Sequence, residues 1–305
     1  MTTLIPRPHY TERIAPFIGK NIIKVLTGQR RIGKSFILRQ VMEEIRRKEP
    51  EAHIISINQV LEQFRDIRTH EDLSHSLVPL LSKPGPHYLF IDEVQEIEDF
   101  QFCLRSLLAE EKCDIFCTGS NAQMLSGELA THLAGRSVSF DVHSLSYREF
   151  LTFHRLEAGQ ENLKKYLTFG GMPYLAHIGL EADVPFEYLR SVYSTILLKD
   201  TVAREKIRNV HFLEDLVAYL ADNIGNLFSA NNISKFLKSQ RVDLSPQVTL
   251  NYLRALSNAY LIHRVSRAEV GGMKIFETGE KFYFEDIGIS HAIRGFNFRR
   301  DVHKV

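Results

Sequence analysis

The chain has 305 residues, a formal net charge of +1, 44% hydrophobic and 25% charged residues, which suits two or three modest folded domains and excludes a disordered chain. Its apolar runs, such as YLFI, are far too short to cross a bilayer, and the opening MTTLIPRPHY lacks the continuous apolar core of a signal peptide, so a cytoplasmic protein without membrane contact is expected. Three cysteines, Cys103, Cys113 and Cys117, include no C-x-x-C pair and read as reduced packing residues.

In chain order, five short apolar runs predict strands at 22–27 (IIKVLT), 53–58 (HIISIN), 88–92 (YLFID), 114–119 (DIFCTG) and 136–142 (RSVSFDV). The segments between them carry helical spacing, as in Phe36, Ile37, Val41, Met42 and Ile45. Strand alternating with helix implies an α/β fold, a parallel sheet covered on both faces. After about residue 143 the pattern becomes helical, with Ser146 and Glu149 in capping-box register and one break at FGGMPYL. From 229 a short helix, a turn and a helix capped by Ser245 with Pro246 at its first position precede two strands around Gly271-Gly272, the order of a winged helix-turn-helix. The predicted domains are therefore 1–143, 144–226 and 227–305.

Charge is uneven: residues 1–50 hold eleven Lys/Arg against four Asp/Glu, and 88–114 hold two against eight. Solvated surfaces account for such runs, but a basic front suits phosphate and an acidic middle suits a metal. The motif in the basic part is GQRRIGKS, Gly28 to Ser35, which fits G-x-x-x-x-G-K-[ST] without mismatch between a strand and a helix. Glycines there let successive N–H groups and the helix N-terminus face phosphate oxygens. Gly28, Gln29, Arg30, Arg31, Ile32, Gly33, Lys34, Ser35 and Phe36 are thus candidate nucleotide contacts, with Lys34 reaching the β and γ phosphates and Ser35 giving an oxygen to Mg²⁺.

The strand HYLFID delivers Asp92 at its carboxyl end, where open α/β sheets bind ligands. Asp92 is expected to hold Mg²⁺ through water and Glu93 to polarise the attacking water. The fourth strand ends in CTGSN, so Ser120 or Asn121 is a candidate to sense the γ-phosphate or position water, although short polar residues also end ordinary strands. Arg136 is a candidate γ-phosphate contact or arginine finger, against the plain reading of a surface charge. With no guanine-reading N-K-x-D motif, ATP is the expected nucleotide. LSGEL at 125–129 departs from the transporter-type signature and follows the Asp-Glu strand, so that reading is set aside.

Taken together, GQRRIGKS, YLFIDEVQ, TGSNAQML, LAGR, LSYREF and GGMPYL resemble the prokaryotic AAA-like ATPases of the AAA_14 family with an accompanying DUF4143 region, relatives of archaeal and STAND-type ATPases. The similarity runs from Arg7 to about Arg294 and includes LLKDTVAREKI and FYFEDIGISHAIRG. It implies an ATP-binding core of parallel-sheet P-loop type, a helical lid and a winged helix. It often implies a nuclease-like domain further on, whose carboxylate cluster is absent from this sequence, so cleavage is not carried over. The resemblance to STAND-type proteins also makes Pro173 a candidate beside the nucleotide, with a helix breaker as the alternative.

Within 229–267 six Lys/Arg face one acid, Asp243. Gln247, Asn251, Arg254 and Asn258 form one polar stripe opposite Val248, Tyr252, Leu256 and Tyr260. With Lys238 nearby, this face is a candidate for double-stranded DNA, the competitor being a protein client or simple packing. Several histidines, including His9, His53, His70, His75, His87 and His132, share no ligand spacing, so no metal besides Mg²⁺ is indicated. Assembly into a homo-oligomer stays open. The expected activity is Mg²⁺-dependent ATP hydrolysis that repositions lid and winged helix; the rivals are a slow ATP-bound switch and a DNA-binding regulator with little turnover.

Overall fold

Residues 23–27 form a strand because the run Ile-Lys-Val-Leu-Thr is buried on both faces, as a central parallel strand must be. A computed structural model describes residues 4–122, 135–181, 183–227, 233, 245–266 and 280–295. The chain divides into two compact units, Met1–Gly28 with Ile32–Val142, and Gln29–Arg31 with His143–Val305.

In the first unit β1 (Ile23–Thr27), β2 (His53–Asn58), β3 (His87–Asp92), β4 (Asp114–Gly119) and β5 (Ser137–Asp141) pair in parallel in the order β2-β3-β4-β1-β5. Helices α1 (Pro8–Ile14), α2 (Lys34–Lys48), α3 (His70–Leu77) and α4 (Phe100–Ala109) accompany them. The period of two divides the sheet. Ile23, Val25, Ile55, Ile57, Leu89 and Ile91 pack with Leu73 and Leu77 of α3 and Leu104 and Leu107 of α4. The residues between them, Ser56, Asn58, Phe90 and Asp92, turn to the opposite face and line a cavity with Leu38 and Met42 of α2. Phe90 stacks on Phe116 there, centroids 4.6 Å apart.

At the amino end of that sheet Lys24, fully buried, contacts Asp114 and donates to the Lys20 carbonyl at 2.9 Å. Burial pushes the Lys24 ammonium down and the Asp114 carboxyl up, each opposed by the other's charge. The pair is a structural feature, since the carboxyl ends of the strands lie at the far side of the sheet.

In the second unit α5 (Tyr147–His154) begins at the Ser146/Glu149 capping box. It is followed by α6 (Gln160–Phe169), a 3₁₀ turn (Pro173–His177), and α7 (Val184–Thr195), which runs into a π-helical segment (Ile196–Ala203). Then come α8 (Val210–Asp222), α9 (Pro246–Asn258) with Ser245 as its cap, antiparallel β6 (Ile262–Val265) and β7 (Lys281–Phe284), and α10 (Ile287–Ile293). Apart from Ile233, the predicted helix over 229–240 lies outside the described residues, as does the Gly271-Gly272 turn.

The GGMP and EDIG motifs fasten to one another. Asp286 caps α10 through the Ile289 N–H at 3.0 Å and accepts from the Gly171 N–H at 2.7 Å, while Gly171 accepts from the Leu145 N–H at 2.7 Å. A β-carbon at Gly171 would stand 2.3 Å from the Leu145 carbonyl oxygen. Among the described residues no helix is long and apolar enough to cross a membrane.

Candidate functional site

The turn from β1 into α2 is built on three positive backbone angles, Gly28 at φ 136°, Arg31 at 70° and Gly33 at 95°. Gly28 cannot carry a side chain: a β-carbon would lie 2.2 Å from the Val142 carbonyl oxygen and 2.6 Å from Ile32 Cδ1. The base of the turn is tied on both sides. The Thr27 hydroxyl donates to Asp141 at 2.7 Å, the Val142 N–H donates to the Thr27 carbonyl at 2.8 Å, and the buried Arg7 guanidinium donates to the Ile32 carbonyl at 3.0 Å. Gly33 occupies the N-cap of α2, whose first amides have no side-chain cap, so the positive end of the helix dipole is open to an anion.

Lys34 is buried and its Nζ donates to the Gly28 carbonyl at 2.9 Å, which folds the ammonium back over the turn. Ser35, half-buried, lines the same cavity as Asp92, together with Asn58 and Arg39; its volume is about 240 Å³. That juxtaposition follows from the alternation in β3, which turns Asp92 to the face that α2 covers. A cradle that a β-carbon would fill, a buried ammonium and a hydroxyl–carboxylate pair on one cavity fit a magnesium-bound triphosphate. Phe36 is exposed, under the Arg39 guanidinium at 5.3 Å.

Asp92 is held by Thr118 of β4, whose hydroxyl donates to Asp92 Oδ1 at 2.6 Å and accepts from the Glu93 N–H at 2.8 Å. Glu93 adopts the left-handed region, φ 58°, an unusual conformation for a long side chain and one that marks functional turns. Its carboxylate contacts the Gln95 amide, which also donates to the buried Ser120 hydroxyl at 3.4 Å. Asn121 follows, buried as well. Asp92, Glu93 and Ser120 are thus joined through Thr118 and Gln95. Neither connector was singled out from the sequence; the signal for Thr118 was a hydroxyl inside an apolar strand, two residues before Ser120. Burial pushes the neighbouring Cys117 thiol up to about 12, so it is no nucleophile.

Other predicted residues fall elsewhere. Arg136 precedes β5, is exposed, and its carbonyl accepts from the Ile23 N–H at 2.9 Å, which places it at the amino end of the sheet. The turn lies at the carboxyl end, roughly 16 Å away at 3.3 Å per strand residue. A contact between Arg136 and the turn of its own chain is therefore ruled out; an arginine finger would have to reach a neighbouring copy. Gln29, Arg30 and Arg31, the crest of the turn, group with the second unit. The Arg30 guanidinium grips Asp200 of the π segment with two bonds, 2.7 and 2.8 Å. Pro173 belongs to the second unit, where it opens the 3₁₀ turn. On α9, Gln247, Asn251 and Arg254 are exposed, whereas Asn258 donates to Glu205 at 3.1 Å and leaves the stripe. Lys238 lies outside the described residues.

Sequence comparison matches residues 20–151 to the family AAA_14, described as an AAA domain, and residues 160–300 to DUF8612, a domain of unknown function, which takes in most of the 227–305 stretch where the resemblance implies the winged helix and the start of a DUF4143-like region. An uncharacterized protein of Haemophilus influenzae is 30% identical over 313 residues, covering 99% of this chain and 77% of the relative. The uncharacterized protein MJ1544 of Methanocaldococcus jannaschii is 31% identical over 253 residues, covering 79% of this chain and 56% of its own length. Among solved structures, the Aeropyrum pernix ORC1 protein in complex with DNA aligns with a TM-score of 0.42 and 9% identity, covering 95% of this chain and 93% of that one.

Proposed function

The chain belongs to the AAA domain family, and from that premise we propose that it binds ATP with Mg²⁺ on the Gly28–Ser35 turn and hydrolyses it. The observation that carries this reading is the shared cavity of Ser35 and Asp92 beside a turn that excludes any side chain at Gly28. Main-chain amides of the turn and the first turn of α2 bind phosphate oxygens, and Lys34 exchanges the Gly28 carbonyl for the β and γ phosphates. Ser35 and Asp92 hold the cation, which when bound neutralises phosphate charge and orients the terminal phosphoryl group. Thr118 fixes the Asp92 carboxylate. Glu93, set by its left-handed backbone and the Gln95 amide, accepts the proton of a water whose oxygen attacks the γ-phosphorus. The bond to the β–γ bridging oxygen breaks, and ADP leaves with that electron pair. Ser120 and Asn121 flank the attacking water.

The helical part, 144–226, serves as a lid that responds to the nucleotide through the Arg30–Asp200 pair, and α9 with β6 and β7 serves as the winged helix. The exposed amides and guanidinium of Gln247, Asn251 and Arg254 favour double-stranded DNA as its ligand. Equilibrium binding of ATP with and without Mg²⁺ tests the core of the reading: the wild type binds and Lys34→Ala does not. Salt-sensitive binding of labelled duplex, lost in Arg254→Ala with Lys238→Ala, tests the DNA part, and no binding at low salt removes it.

A further inference from the structure

Three side chains of the second unit, far from the phosphate turn in sequence, converge on one point. His143 follows β5 and Val142, His263 lies on β6, and Glu285 follows β7; one ligand atom of each lies within 4.8 Å of the other two. His143 Nδ1 stands 3.1 Å from Glu285 Oε2, and His263 Nε2 contacts the same oxygen. The other carboxylate oxygen, Oε1, is already taken by the Ser144 N–H at 2.7 Å, and the Ser144 hydroxyl donates to the Glu285 carbonyl at 3.0 Å. The carboxylate is thus oriented from one side and offered to both imidazoles from the other.

Glu285 is 3% exposed, and among the described residues no lysine or arginine pairs with it. A buried carboxylate calls for positive charge, and a dication shared with the two imidazoles supplies it. We propose that His143 Nδ1, His263 Nε2 and Glu285 Oε2 bind one first-row transition-metal dication of the Zn²⁺ class. Two imidazoles and one carboxylate select that class over Mg²⁺, which takes oxygen ligands. Bonds of about 2.0–2.1 Å in a tetrahedral site set ligand atoms about 3.3 Å apart, and the His143–Glu285 separation of 3.1 Å already meets that spacing. Three protein ligands leave a position for water, and the exposure of the His143 side chain, 56%, gives the ion a way in. The Ser144 amide plays the orienting part that outer hydrogen bonds play at metal sites. Bound metal would clasp the segment at 143–144 to the β6–β7 pair, beside the Asp286 cap of α10.

The test is a Zn²⁺ titration of chelator-treated full-length protein in excess Mg²⁺, by calorimetry and by thermal midpoint, with Co²⁺ absorption as the spectroscopic probe. We expect one high-affinity ion per chain, a midpoint raised by Zn²⁺ and not by further Mg²⁺, and a Co²⁺ spectrum of mixed nitrogen and oxygen ligation. His143→Ala, at an exposed side chain, and His263→Ala should each weaken the ion at least about tenfold, with an unchanged circular dichroism spectrum expected for His143→Ala. Zn²⁺ affinity and stoichiometry unchanged in both variants, or a wild type that binds no more Zn²⁺ than the double variant, would reduce the trio to a hydrogen-bonded clasp and overturn the proposal.

Discussion

Replacing Asp200 by alanine removes a buried carboxylate that two arginines face. Asp200 is 1% exposed at its side chain, receives Arg30 Nε and Nη2 at 2.7 and 2.8 Å, and has Arg204 Nη1 at 3.9 Å. Removing one member of a buried, doubly bonded ion pair costs about 3–5 kcal/mol, since two charge-assisted hydrogen bonds and their Coulomb attraction go together. Arg30→Ala is milder: Asp200 keeps Arg204 nearby, and the Arg30 side chain is 16% exposed, so about 2 kcal/mol is expected. The double variant should cost less than the sum, with a coupling energy of about 1.5–3 kcal/mol. The chain has no tryptophan, so urea unfolding followed by circular dichroism is the assay. ATP affinity measured on the same proteins should fall in Asp200→Ala, since the crest of the phosphate turn loses its anchor. A coupling below about 0.5 kcal/mol, or an Arg30→Ala variant less stable than Asp200→Ala, would refute this account of the pair.

Three further outcomes are expected. Gly28→Ala should lose about 2 kcal/mol or more, from the positive φ and the overlap with the Val142 carbonyl, together with ATP binding; an unchanged thermal midpoint contradicts it. Asp114→Ala should cost about 3–5 kcal/mol by isolating the buried Lys24, whereas Lys24→Met with Asp114→Leu should recover most of that loss in the same urea assay. Burial pushes the His154 imidazole, tilted against the Phe150 ring, down from 6.5 to about 4. The unfolded chain therefore takes a proton before the folded one does, and stability tied to neutral His154 is intact above pH 6.5 and drains as pH falls to 4. His154→Leu should remove on the order of 2 kcal/mol of that acid sensitivity, read as stability against pH; equal slopes in both proteins would contradict it.

The α/β sheet and the glycine turn at 28–35 were legible because their signals are local. An apolar run of five or six residues marks a buried parallel strand, and G-x-x-x-x-G-K-S carries the geometry of its own turn. Asp92 was legible for the same reason, as the polar end of the run HYLFI. What escaped depends on contacts distant in sequence. Asp200 pairs with Arg30 across 170 residues, and Glu285 meets His143 across 142, and no periodicity links such positions. His143 and His263 share no spacing that marks a site, since only the antiparallel pairing of β6 with β7 and the Ser144 contact bring them to one carboxylate. Arg136 failed as a contact of its own turn because parallel strands all point one way: a residue that opens β5 stands at the end of the sheet opposite the one where β1 releases the turn. Asn258 fits the polar stripe of α9 by spacing alone, yet Glu205 claims it.

Hydrolysis assigned to the Gly28–Ser35 turn is tested most directly by phosphate release and ATP binding measured side by side on wild type, Lys34→Ala and Glu93→Gln. Mg²⁺-dependent turnover in the wild type is predicted, with no bound nucleotide in Lys34→Ala, and near-normal ATP affinity in Glu93→Gln with turnover down by about 100-fold or more. A wild type that fails to bind ATP, or a Glu93→Gln variant that releases phosphate at the wild-type rate, would contradict it.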